Sequence, residues 1–122
     1  MHAVTSNAVA NLRKLVWTNP TPSSHGAQTI TFDESAEGYS FFEIEFSNYN
    51  GWRSTIHKIP IGEGSQLTVF SLSVGDTLYA YREITSSTST TMAVENGMLH
   101  QWNNTVYPDS RACTIKKIYA VK

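Results

Sequence analysis

A mainly β fold, an antiparallel β-sandwich or jelly-roll-like domain preceded by one short N-terminal α-helix, is predicted by three observations. Apolar residues recur with period two through most of the 122-residue chain. Clusters of Gly, Pro, Asn and Ser interrupt that alternation every few residues. Before residue 17 the spacing is instead helical, with neither Gly nor Pro. The division that follows is a helix over 1–17, a turn-rich connector over 18–26 and a β-domain over 27–122.

The helix is expected from about Thr5 to Val16, with Thr5 or Ser6 as its N-cap. At about 100° per residue, Ala8, Val9, Leu12, Leu15 and Val16 fall within roughly 120° of arc. Val9, Leu12 and Val16 also match the spacing of a coiled-coil seam. At about 1.5 Å per residue such a helix is too short to be stable alone. It must dock on its own domain or on copies of itself.

Pro20, Pro22 and Gly26 end that segment and define the connector. Strands are then expected at Gln28–Phe32, around Phe42, Ile44 and Phe46, across Trp52–Ile61, at Leu67–Leu72 and at Thr77–Ile84. The Ser/Thr run from 86 to 91 reads as an exposed loop or edge strand. Asn96-Gly97, flanked by Met92–Glu95 and Met98–Trp102, reads as a β-hairpin turn. The Asn-rich, Pro-containing stretch 103–110 reads as a loop, and Ala112–Val121 as a final strand. Adjacent Lys116 and Lys117 suggest a bulge in it.

Composition excludes several functions. Nine Lys+Arg against ten Asp+Glu leave a net charge of -1, a poor balance for gripping nucleic acid or an anionic membrane. No run approaches the about 18 apolar residues of a membrane span, and no signal peptide is recognisable, so cytoplasmic synthesis without membrane insertion is expected. Cys113 is the only cysteine and reads as a small buried hydrophobe. His2, His25, His57 and His100 show no metal-ligand spacing, and no nucleotide or nucleophile motif is present. No metal, cofactor or catalytic residue is expected. Glu43 with Glu45, and the cluster of Asp33, Glu34 and Glu37, are ordinary exposed acids by position, with glycosidic or calcium chemistry as the sharper alternatives.

Aromatic residues beside amides are more informative. Tyr49, Asn50, Trp52 and Arg53 share one predicted turn, and Trp102, Asn103 and Tyr107 another. Rings that stack on sugar C–H faces, with amide and guanidinium donors for hydroxyls, suit a saccharide site. The plainer reading is that Trp52 and Trp102 begin and end strands and cap the core.

Val4-Thr-Ser-Asn-Ala-Val-Ala-Asn11 resembles a segment that precedes the C-terminal β-domain of tail-fibre and tail-tip proteins of phages and prophages of gut bacteria. Leu15-Val-Trp-Thr-Asn-Pro20, Ala27-Gln-Thr-Ile30 and Lys117-Ile-Tyr-Ala-Val-Lys122 are also similar to that group, whereas residues 47–109 are less so. The resemblance implies a non-enzymatic receptor-binding domain in the virion tail, a homotrimer meeting host cell-surface glycan and other tail proteins. Trimerisation would use Val9, Leu12 and Val16. The alternatives are a structural virion or baseplate adaptor that binds only protein, and a glycan-cleaving tailspike domain.

Overall fold

The computed structural model describes residues 12–21, 24–47, 54–62, 67–72 and 77–122. Ten strands lie in them: β1 (Arg13–Thr18), β2 (Gln28–Thr31), β3 (Phe41–Ser47), β4 (Ser54–Pro60), β5 (Leu67–Leu72), β6 (Thr77–Ser87), β7 (Thr91–Val94), β8 (Met98–Gln101), β9 (Val106–Pro108) and β10 (Thr114–Val121). Every pairing is antiparallel. One sheet has the order β1-β10-β3-β4; the other runs β2-β7-β6-β8-β9, with β5 also paired to β6.

Alternation makes these strands. On β3, Phe42, Ile44 and Phe46 are buried while Glu43 and Glu45 face outward. Both sheets feed one apolar cluster. The four-stranded sheet supplies Val16, Phe42, Ile44, Ile115 and Ile118; the six-stranded sheet supplies Ile30, Val69, Ile84, Met92 and Leu99. Phe32, just past β2, meets Phe42 edge to face with ring centroids 5.3 Å apart.

No helix occurs among the described residues, and the predicted one is corrected where it can be seen. Residues 13–16 belong to β1, which pairs with β10. A register shift between Leu15 and Trp17 buries Val16 and Trp17 in succession. That bulge hides period two and leaves a spacing that imitates a helix. Val16 is 0% exposed inside its own chain, whereas Leu12 is 55% exposed. Val9 lies outside the described residues.

The expected Asn96-Gly97 hairpin is also corrected. β7 and β8 both pair with β6, so they are successive parts of one interrupted strand. Gly97 is required for closeness instead of turn geometry. A Cβ there would collide with the carbonyl oxygens of both Asp109 and Ala112. The Ser/Thr run instead makes the β6–β7 turn, where the Thr88 hydroxyl accepts from the Thr91 amide at 3.0 Å. Part of the predicted 103–110 loop forms β9. The bulge at the paired lysines is present, as a register shift between Ile115 and Lys117.

Candidate functional site

The two faces of β6 behave oppositely. Ala80, Arg82 and Ile84 point into the protein and are fully or almost fully buried. Tyr79, Tyr81, Glu83 and Thr85 alternate with them and face outward.

Arg82 is 0% exposed and forms no ion pair with a carboxylate among the described residues. Its Nε donates to the Cys113 carbonyl at 2.9 Å and its Nη1 to that of Glu95 at 2.8 Å. Its Nη2 donates to the carbonyls of Ala112, His25 and Ser110 at 2.9, 3.1 and 3.2 Å. Carbonyl dipoles from three chain segments thus replace water around the cation. Burial nevertheless lowers its pKa to about 10, against the attraction of Cys113.

His25 completes this knot. Its Nε2 accepts from the Ile115 amide at 3.2 Å, so the proton of the neutral ring sits on Nδ1 and is donated to the Gly26 carbonyl at 3.0 Å. Burial first, and the Arg82 charge second, push its pKa down to about 4 against the pull of the Gly26 carbonyl. Cys113, in left-handed backbone at φ 48°, is buried beside Ser71, and burial raises its thiol to about 11.

Above the knot, on the outer face, lies an open cleft of about 380 Å³. Tyr81, Glu83 and Thr85 of β6 form one wall; Glu95, Asn96 and Met98 form the other. The cleft exists because the β7–β8 strand breaks there. Arg82 holds the break from beneath through the Glu95 carbonyl, and Asn96 Oδ1 accepts from the Ala27 amide at 2.8 Å. Both walls are therefore anchored before any ligand arrives.

A row of rings leads into the cleft. Tyr79 and Tyr81 are 5.8 Å apart between centroids, and His100, opposite Tyr79 on β8, stacks on it at 4.9 Å. The Tyr79 hydroxyl donates to His100 Nδ1 at 3.2 Å, while His100 Nε2 donates to Asn104 Oδ1 at 3.4 Å. Burial, then Tyr79 and Glu83, raise the Tyr81 phenol, which stays protonated and able to donate.

The predicted site residues fare unevenly. Tyr49, Asn50, Trp52 and Arg53 lie outside the described residues. Trp102 is 67% exposed in the β8–β9 turn, where Asn103 Oδ1 accepts from the Thr105 amide at 3.0 Å. Tyr107 pairs with Leu99 and takes a hydrogen bond from Gln101 at 3.3 Å, which sets it on the face opposite His100. Sequence reasoning missed Tyr79, Tyr81, Glu83, Glu95 and His100. The available signal was parity, since Glu83 and Thr85 mark the wet side of β6 and place both tyrosines on it. Glu43 is engaged by Arg13 at 3.1 Å. Among the described residues, no group of three or more His, Cys, Asp or Glu could hold a metal ion.

Comparison with family models finds no match, and neither curated proteins nor solved structures match the chain.

Proposed function

We propose that this chain is a saccharide-binding domain of a phage-type tail fibre, working as a homotrimer on host-surface glycan without cleaving it. In this reading the two sheets pack face to face as a jelly-roll-like sandwich. The row Tyr79–Tyr81–His100 running into an anchored cleft is the observation that carries the proposal. Ring faces take sugar C–H surfaces, while Glu83, Thr85, Glu95 and Asn96 offer acceptors and donors to hydroxyls. The tail-fibre setting rests on the resemblance of residues 4–11, and a trimer would multiply a weak single site into avidity.

Tyr81 is the residue to remove, because it faces outward and its loss leaves the core intact. Tyr81→Ala should weaken adsorption to host cells, or binding on a glycan array, by about tenfold, the equivalent of about 1.4 kcal/mol. Light scattering on the intact chain should give three times 13.6 kDa. A parent protein that binds no glycan, or a folded Tyr81→Ala variant that binds unchanged, would sink the reading.

One observation favours a second reading. Glu83 and Glu95 line the same cleft, and glycosidic cleavage needs two carboxylates flanking the bond. Release of reducing ends from host envelope by the parent protein, abolished by Glu83→Gln, would replace binding with hydrolysis.

A further inference from the structure

The cleft above the Arg82 knot carries charge of one sign. The Glu95 amide donates to the Glu83 carbonyl at 2.9 Å, one step beyond the Ile84–Val94 pair. The two glutamates therefore stand opposite each other, one on β6 and one just past β7. Ile84 and Val94 are buried, which turns both of these neighbours to the outer face. Glu83 is half-buried there and Glu95 is exposed. Among the described residues neither forms an ion pair, and no Lys, Arg or His lines the cleft. Arg82 adjoins Glu83 in the chain, but it faces the interior and gives its donors to carbonyls. Like charges set opposite each other on neighbouring strands cost stability. A cation arriving from solution removes that cost.

The neutral groups of the cleft point the same way. The Thr85 hydroxyl donates to the Ala93 carbonyl at 3.4 Å, which leaves its lone pairs for a ligand. With both oxygens of each carboxylate beside it, the cleft is rich in acceptors. Its donors are the Tyr81 phenol and the Asn96 amide nitrogen, since the Asn96 oxygen is held by the Ala27 amide. An ammonium group matches this set, with three donors, no acceptor and a positive charge. The Tyr81 ring adds a π face that attracts a cation. A metal ion fits less well. Among the described residues no group of three or more His, Cys, Asp or Glu gathers to coordinate one.

We propose that the cleft selects saccharides carrying a free amine, whose ammonium group is taken by Glu83 and Glu95 beside the Tyr81 ring. This rests on the reading of the cleft as a saccharide site and narrows its ligand class. N-acetylation of such a sugar is the discriminating change. It removes the charge, leaves one N–H of the three donors, and adds a carbonyl oxygen that the two carboxylates disfavour. Ring and linkage stay the same, so both forms present the same C–H faces to the tyrosines.

The probes are a glucosamine oligomer and its fully N-acetylated counterpart, titrated into the full chain by calorimetry. At about pH 6 the amine is protonated and carboxylates are ionised. The amine form should bind at least about tenfold more tightly at about 50 mM salt, and that ratio should shrink at about 500 mM. The double variant Glu83→Gln, Glu95→Gln should bring the ratio close to one. If that variant folds poorly, the salt series on the parent decides. An N-acetylated oligomer that binds the parent as tightly as the amine form overturns this inference and leaves the saccharide cleft standing. A parent that binds neither oligomer also overturns it, and the glycan array with Tyr81→Ala then judges the cleft separately. A ratio that salt does not change, or that the folded double variant keeps, overturns it as well. So does a lysine oligomer of equal charge that binds more tightly than the glucosamine oligomer, since the partner would then be a basic peptide.

Discussion

Arg82 and Arg13 occupy strands of different sheets and show two ways for a β-protein to keep a guanidinium. Arg82 faces the interior and gives its donors to five main-chain carbonyls, with no ion pair to a carboxylate among the described residues. Arg13 lies on the outer face, half in water, with a carboxylate at 3.1 Å and the Tyr119 ring beneath it. The buried arginine ties together the connector at His25, the β7–β8 break and the turn before β10. The surface arginine ties down little. What separates them is the reference state: unmaking the first strands carbonyls in a dry interior, while unmaking the second returns both partners to solvent.

The sharpest way to break that comparison is to remove the buried charge. Arg82→Met keeps much of the volume but leaves five buried carbonyls without their donor. We expect a loss on the order of 4 kcal/mol or more, read as a lower midpoint in urea denaturation. Outright failure to fold would agree with that. A loss below about 1 kcal/mol would mean that water enters and satisfies the carbonyls, and that Arg82 is no strut.

How the knot was hidden from the sequence is instructive. Thr77–Ile84 was legible as a strand from alternation alone, and so were β2, β3, β5 and β10. Its facing was not. Tyr79 and Tyr81 look like core and Arg82 like surface, because apolar content is an average rule that a cage of carbonyls can override. Those carbonyls come from residues 25, 95, 110, 112 and 113, whose meeting depends on long-range pairing that no local window contains. The same limit produced the helix over Thr5–Val16, where at residues 13–16 pairing with β10 outweighed local propensity, and the Asn96-Gly97 hairpin, where packing on Arg82 outweighed turn preference. Aromatic residues beside amides were legible in the sequence, but which rings meet across strands was not, because long-range pairing decides that.

His25 tests the knot by pH. Its folded pKa of about 4 lies below the 6.5 of the unfolded chain, so between those values the unfolded state binds more protons. The stabilisation is complete above about pH 6.5, is lost progressively as pH falls, and changes no further below about pH 4. The full amount is roughly 3 kcal/mol, of which roughly 2 kcal/mol should go between pH 7 and pH 5, before most carboxylates titrate. His25→Gln can still accept from the Ile115 amide but cannot take up a proton. Urea midpoints across that range should therefore slope in the parent and run nearly flat in the variant. Equal slopes would place the titration elsewhere and detach His25 from the Arg82 charge.

The smallest effect belongs to Arg13, and it sharpens the comparison from the other side. Its side chain is 46% exposed, so water screens the pair with Glu43 and competes for both partners. Stacking on Tyr119 adds a ring contact that salt weakens less, since it depends on close approach and partial desolvation. Arg13→Ala should therefore cost about 1 kcal/mol in all, and a double-mutant cycle with Glu43→Ala should assign less than that to the ion pair. Raising salt to 0.5 M should shrink the Arg13–Glu43 coupling and leave most of an Arg13–Tyr119 coupling measured in the same way. If Arg13→Ala instead cost as much as Arg82→Met, exposure would not be what distinguishes the two guanidinium groups. The contrast between a carbonyl cage and a surface pair would then have to be abandoned.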